Sequence, residues 1–389
     1  MNPSGSGRSG EADSTGRFIV RIARSDCTRC LRSRHMRSGS IGTNARVFSG
    51  TVTAWLPFAM PMRGSVPRRR VALCRTTGKD TAVAIPIILD CDPGTDDAFA
   101  LMLAIASPEI DLLAVTVAGG NVGLERTLPN ALALVALAGS AVPVYRGADR
   151  PLLGAFVNET RVHGADGLGG VGLPAGGEPA PGIAADLIRA ILRDSARPVT
   201  LVGIAPVTNL ALALMTEPAL TAKLERIVLM TGAWGEGNAT PAAEFNAVND
   251  PEALAVLLAC GRPVVLATLE LTAQALCTPA RLAALRDAGT GRCMRTLCDI
   301  QATVPLGPRL GGSGAALHDP CAIAWLIRPD LFTTRDCAVT VDLGPGPSRG
   351  RTVIDRWGRT GAPHNATVLE TVDAAGLFSL LGERLRPLP

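Results

Sequence analysis

The chain has 389 residues, 47% of them hydrophobic and 19% charged, enough to bury the core of one large domain or two ordinary ones. No run of about 18 apolar residues occurs, so no membrane-spanning helix is expected. The net charge of +4 is uneven: residues 1–80 carry 14 Arg and one Lys against four acids, which leaves the remainder acidic and gives no reason to expect nucleic acid as a partner.

Residues 1–81 read as an irregular extension rich in Ser, Gly, Arg and Pro, with Arg68-Arg69-Arg70 near its end. Three readings compete: a disordered tail, an Arg-rich targeting peptide, or a start placed too early. The first and third are favoured, because the apolar patch at 54–60 is too short and too far in for a signal-peptide core. Cys27-Thr-Arg-Cys30 is a lone CxxC without the second pair a metal or redox role needs. The ten cysteines therefore read as free thiols of a reducing compartment, with cytoplasm as the default.

From Ala82 to the end, one catalytic domain is expected. Residues 83–89 form a continuous β-type run ending in acids, and 98–106 an apolar helix. A strand at 112–117 and a helix at 128–137 follow, then a helix at 183–193. Short buried-strand runs lie at 199–202, 227–230 and 264–269, and helices at 251–258 and 278–286. This alternation predicts an α/β fold, a mostly parallel central sheet with helices on both faces. In such sheets ligands sit at the carboxyl ends of the strands, where the polar clusters of this chain fall. Gly- and Pro-rich stretches at 164–182 and 305–314 are loops; the second precedes a His-Asp pair and is a candidate lid.

Asp90-Cys-Asp92-Pro-Gly-Thr-Asp96-Asp97 places four carboxylates within eight residues, at a strand end and across a Pro-Gly turn. One could cap the next helix, but four like charges together call for a cation. Oxygen-only ligands suit Ca²⁺ or Mg²⁺. An EF-hand starting at Asp90 would need Glu where Leu101 stands. A magnesium-dependent phosphatase of the haloacid-dehalogenase type also begins with strand and Asp-x-Asp. It would use Asp90 as nucleophile and Lys223 as its downstream lysine, and is the alternative.

The octapeptide 90–97 resembles the signature of the inosine–uridine-preferring nucleoside hydrolase family. The likeness continues in order with Ala118-Gly-Gly-Asn121, Val162-His-Gly-Ala-Asp-Gly-Leu168, Pro206-Val-Thr-Asn-Leu210, Glu236-Gly-Asn238, Ala243-Glu-Phe-Asn246 and His318-Asp319-Pro320. The resemblance implies a Rossmann-like fold and hydrolysis of the N-glycosidic bond of ribonucleosides to base and ribose, in nucleoside catabolism and salvage. It implies Ca²⁺ held by Asp92, Asp97, Asp319 and the carbonyl of Ile204, activating a water for which Asp92 is the base. Asp96, Asn121, Asn238, Glu244 and Asn246 become candidates for the ribose, because a diol both donates and accepts hydrogen bonds. His318 is the candidate acid for the departing base, and His163 a further candidate near the base or the 5′-hydroxyl. The implied partner is a small nucleoside, with neither nucleic acid nor membrane, and the implied assembly a homo-oligomer, dimer or tetramer. A non-enzymatic nucleoside binder is the third reading, disfavoured because both Asp92 and His318 are present.

The chain departs from the family pattern in the loop before His318. Some purine-competent members carry tyrosines there, whereas 305–314 has none and the chain's single Tyr is Tyr145. Stacking from that loop is therefore absent, which leaves base preference open and disfavours strict purine specificity. Arg309 is a candidate base contact, and Trp234 is either near the sugar or in the core.

Overall fold

The computed structural model describes residues 84–306 and 312–389. The N-terminal extension, the boundary at Ala82, the Cys27/Cys30 pair and Arg309 lie outside the described residues.

The chain runs β1 (Ile85–Cys91), α1 (Asp97–Ala106), β2 (Ile110–Val117), α2 (Leu124–Leu137) and β3 (Val144–Arg146), then α3 (Thr160–His163), α4 (Ala184–Asp194), β4 (Val199–Gly203), α5 (Thr208–Thr216) and β5 (Leu224–Met230). It continues with α6 (Phe245–Asn249), α7 (Pro251–Leu258), β6 (Val264–Ala267), α8 (Leu269–Thr272), β7 (Leu276–Cys277), α9 (Pro279–Ala288), α10 (Arg292–Thr303) and β8 (Ala315–Ala316). It closes with α11 (Pro320–Ile327), β9 (Phe332–Val341), β10 (Thr352–Asp355), β11 (Ala366–Val372) and α12 (Ala374–Leu385).

Nine strands form one sheet in the order β10-β9-β11-β6-β5-β4-β1-β2-β3. Strands β1 to β6 and β11 pair in parallel, and β9 runs antiparallel to both β11 and β10. The expected mostly parallel sheet is thus present, with an antiparallel edge the sequence reading did not anticipate. Strand β1 pairs with β2 on one side and β4 on the other. The winding therefore reverses between β1 and β4, and the crevice at their carboxyl ends is the switch point where such sheets bind ligands.

Alternation along β1 feeds two cores. Ile87, Leu89 and Cys91 join the larger cluster, with Leu101 of α1, Leu134 of α2 and Ile323 of α11. Ile88 points the other way, into a cluster with Ile188 of α4, Leu210 of α5 and Leu254 of α7. A strand covered on both faces reads as an unbroken apolar run, and each such side chain contributes roughly 1.5–3 kcal/mol by burial. The run expected at 264–269 stops as strand at Ala267; Leu269 already opens α8. Among the described residues, no helix is long and apolar enough to cross a membrane.

Candidate active site

The ends of β1, β2, β4, β5 and β6 surround a cavity of about 360 Å³, within the range that takes a small ligand. Asp96, Asn121, His163, Ile204, Asn238, Glu244, Asn246, His318 and Asp319 line it. Asp92 and Asp97 lie behind that wall, both fully buried. The structure thus gathers the candidate acids, asparagines and histidines and Ile204 in one place, although they span more than 220 positions.

The Pro-Gly turn after β1 is closed by Asp97, whose carboxylate accepts from the amides of Asp92 (3.1 Å) and Gly94 (3.0 Å). Carboxylate oxygens of Asp96, Asp97 and Asp319 lie within 4.8 Å of one another. Asp92 is not one of that close trio but is near enough to feel the charges of Asp97 and Asp96. Its Oδ2 accepts from the Asn121 amide at 2.6 Å, while its buried Oδ1 has no protein partner. Burial, and then the charge of Asp97, hold Asp92 well above the usual carboxylate range. Asp319 is raised in the same sense by burial and then by Asp96 and Asp97. Asp97 is pushed up to about 7, again chiefly by burial. Acids confined this way are stable as anions only if positive charge reaches them. An orphaned buried oxygen, all-oxygen donors and mutual repulsion together fit a hard divalent cation.

Gly120 is what lets Asp92 occupy this place. A Cβ there would stand 2.0 Å from Asp92 Oδ2 and 3.0 Å from the Pro206 ring. Gly120→Ala therefore displaces the carboxylate and breaks the bond from Asn121. With misplacement of a group at a site costing on the order of 10²-fold in rate, turnover of whatever this cavity acts on is expected to fall by about that factor in a variant that still folds. Near-normal turnover with an unchanged melting temperature would show that Asp92 need not sit where it does.

Asp90 does not share the cavity. It is fully buried, and its Oδ1 accepts from Thr116 Oγ1 (2.6 Å) and Asn209 Nδ2 (2.8 Å). Lys223 donates to the carbonyls of Arg193 and Ser195, just before β5 and therefore at the amino ends of the parallel strands, opposite the cavity. The phosphatase reading needed both groups at one site, and the geometry overturns it.

Elsewhere around the cavity the candidate residues divide their bonds between protein and cavity. Asn121 turns its amide hydrogens inward, to the Asp92 carbonyl (3.1 Å) and Asp97 Oδ2 (2.9 Å), so it orients the acids as well as facing the cavity. Glu244 caps α6: Oε1 accepts from Asn246 N, and Oε2 from Ala247 N, Gly232 N and Thr231 Oγ1. In its apolar sequence setting it is thus satisfied by main-chain amides and one hydroxyl rather than by an ion-pair partner. Asn246 Nδ2 bridges the carbonyls of Ile204 (3.2 Å) and Met230 (3.1 Å), fixing the carbonyl expected to ligate the cation. Asn238, at the exposed mouth, accepts from Phe245 N.

His163 is buried, and its Nδ1 accepts from the Thr95 amide at 3.1 Å. A main-chain N–H can only donate, so the neutral ring carries its proton on Nε2. Burial lowers its pKa. His318 is pinned through its own amide, which donates to Asp96 Oδ2 at 3.1 Å. Trp234 does not line the cavity; it packs against Arg356, 4.4 Å from guanidinium carbon to ring centre. Glu270 lines the cavity and was not anticipated; it accepts from the amides of Trp234 and Gly235, holding the turn that leads to Asn238. Its position just after β6 was the available signal.

The profile of the inosine-uridine preferring nucleoside hydrolase family matches residues 87–379. The pyrimidine-specific ribonucleoside hydrolase RihA of Salmonella paratyphi C is 44% identical over 308 residues, covering 78% of this chain and 99% of that protein. Among solved structures, the purine-preferring ribonucleoside hydrolase of Gardnerella vaginalis superposes with a TM-score of 0.72 at 31% identity, over 77% of this chain and 98% of its own. The plant nucleoside hydrolase PpNRh1 gives the same TM-score and identity, over 78% of this chain and all of its own.

Proposed function

The chain belongs to the inosine-uridine preferring nucleoside hydrolase family and hydrolyses ribonucleosides to base and ribose; we propose that it does so with Ca²⁺ as cofactor, Asp92 as base and His318 as acid, and with a preference for pyrimidine nucleosides. The observation that carries the reading is the buried Asp92 Oδ1, which has no protein partner on an acid that feels the charges of Asp97 and Asp96.

Asp92, Asp97, Asp319 and the Ile204 carbonyl would hold the cation. Asp96 stands within the same cluster, but its Oδ2 is already engaged by the His318 amide, which favours its service to the ribose. When bound, calcium supplies charge that polarises a water and grips the ribose diol. The residues do the rest. Asp92 takes a proton from the attacking water. Asp96, Asn121, Asn238, Glu244 and Asn246 accept from and donate to the sugar hydroxyls, and His163 offers its Nε2 proton into the cavity. Cleavage passes through an oxocarbenium-like sugar, so a firm grip on the ribose also favours the transition state.

Two observations support the pyrimidine preference. RihA of Salmonella paratyphi C carries that specificity in its name. The wall beside His318 includes Ala273, Ala315 and Ala316, and among the described residues no Phe, Tyr or Trp lines the cavity except Phe245, next to Glu244. The seven cysteines among the described residues are free thiols, which supports a reducing, cytoplasmic setting. The same reading takes residues 82–389 as the catalytic domain and the working form as a dimer or tetramer.

The test is release of ribose from uridine, cytidine, inosine, adenosine and guanosine, with calcium and after chelation. Uridine and cytidine are expected to be cut fastest, with all turnover lost on chelation. Faster cleavage of inosine would overturn the base preference; full activity in chelator would remove the cation from the mechanism.

A further inference from the structure

We propose that Thr272 is the positioning residue for His318, holding the imidazole by Nδ1 so that Nε2 meets the departing base. The inference rests on the reading of His318 as the acid. Thr272 ends α8 and is completely buried. Its Oγ1 lies 2.7 Å from His318 Nδ1 and 3.4 Å from the Leu269 carbonyl. A hydroxyl has one hydrogen and two acceptor lone pairs. Donating that hydrogen to Leu269 leaves the oxygen to accept Nδ1–H. His318 lines the cavity, so with Nδ1 turned into the wall, Nε2 on the far side of the ring is the nitrogen directed at the ligand. The amide of the same residue is fixed by Asp96. Main chain and ring are thus anchored separately, one on the sugar side and one on the β6 side.

The arrangement matches the proton's path. As water oxygen bonds to C1′, its proton passes to Asp92 and the C1′–N bond breaks. The electron pair of that bond leaves with the base, which takes the proton from Nε2. The ring ends neutral with its remaining hydrogen on Nδ1, where Thr272 already accepts it. No change of tautomer or rotamer is required during the step.

The experiment compares two substrates within each preparation: uridine, whose base needs a proton to leave, and p-nitrophenyl β-D-ribofuranoside, whose phenolate leaves without one. Thr272→Val keeps the shape and removes the hydroxyl. Since hydrogen bonds to a charged group are among the stronger ones, its kcat on uridine is expected to fall about 10- to 100-fold with KM little changed. Turnover of the nitrophenyl riboside should stay within about twofold of the parent, and Thr272→Ser should restore uridine cleavage. The ratio of the two rates does not depend on how much of the protein is folded; should the Val variant not accumulate, Thr272→Ala is read on the same ratio. Equal loss on both substrates, or no loss on either, would overturn the proposal. His318→Gln separates the two levels. If it too leaves the ratio unmoved, the acid assignment fails and the inference with it; if it shifts the ratio while Thr272→Val does not, only the role of Thr272 fails.

Discussion

Asp92→Asn should lower kcat on uridine by about a thousandfold at saturating calcium, the middle of the range for removing a general base. The substitution keeps the shape of the side chain, and the Asn121 amide can still donate to the remaining oxygen, so the cavity survives. On the proposed mechanism, what is lost is a proton acceptor and one unit of charge beside the cation. The same change should leave the calcium-free protein at least as stable as the parent. Asp92 is held above its ordinary range by burial and by Asp97, so as an anion it destabilises the fold until a cation arrives. A dead enzyme with an unchanged or higher melting temperature in chelator is therefore the expected pair of results. A residual rate within tenfold of the parent would move the base elsewhere, and Asp96 would be the next residue to test.

What could be read in the sequence depended on how far apart the partners lie. Asp90, Asp92, Asp96 and Asp97 occupy one strand, turn and helix start, so their clustering was visible in eight letters. Asp90 is still within β1, whereas Asp92 stands past its end at Cys91. Alternation would put the two on one face, so their separation comes from the Pro-Gly turn and needed the structure. Asn121 illustrates the next distance. Its place after the second strand was legible, whereas the inward turn of its amide to Asp92 and Asp97 depends on the register between β1 and β2. The link from Thr272 to His318 crosses 46 positions and no local pattern encodes it. The antiparallel edge was missed for another reason. In β9 exposed residues run from Thr333 to Asp336 before burial resumes at Cys337, so neither an apolar run nor a clean alternation marks it.

The buried acids also set a pH dependence whose sign is opposite to the usual one. A carboxylate whose folded pKa is raised binds more protons when folded than when unfolded, so stability falls as pH rises from its unfolded value, near 4. The fall continues to about 7 for Asp97, and Asp92 and Asp319, also raised by burial and by neighbouring charge, act in the same sense. Asp90, raised to about 7 by burial, adds to the same slope. His163 works against it, since burial lowers its pKa and stability gained there appears as pH approaches 6.5. Glu244 and Asp250 are also raised by burial, and one imidazole against six carboxylates does not reverse the sign. Surface acids with lowered pKa, such as Asp355 at about 2, titrate below this window. Unfolding in chelator should therefore need more urea at pH 5 than at pH 7.5. Calcium should raise the midpoint most at the higher pH, because binding requires the deprotonated ligands; at a hundredfold excess over Kd it adds about 2.7 kcal/mol. A shallow slope from Asp90 should persist with calcium bound, since that carboxyl faces Thr116 and Asn209 and not the cluster. A chelated protein more stable at pH 7.5 than at pH 5 would mean that these carboxyls do not repel one another in the empty site, and the case for a cation there would lose its electrostatic basis.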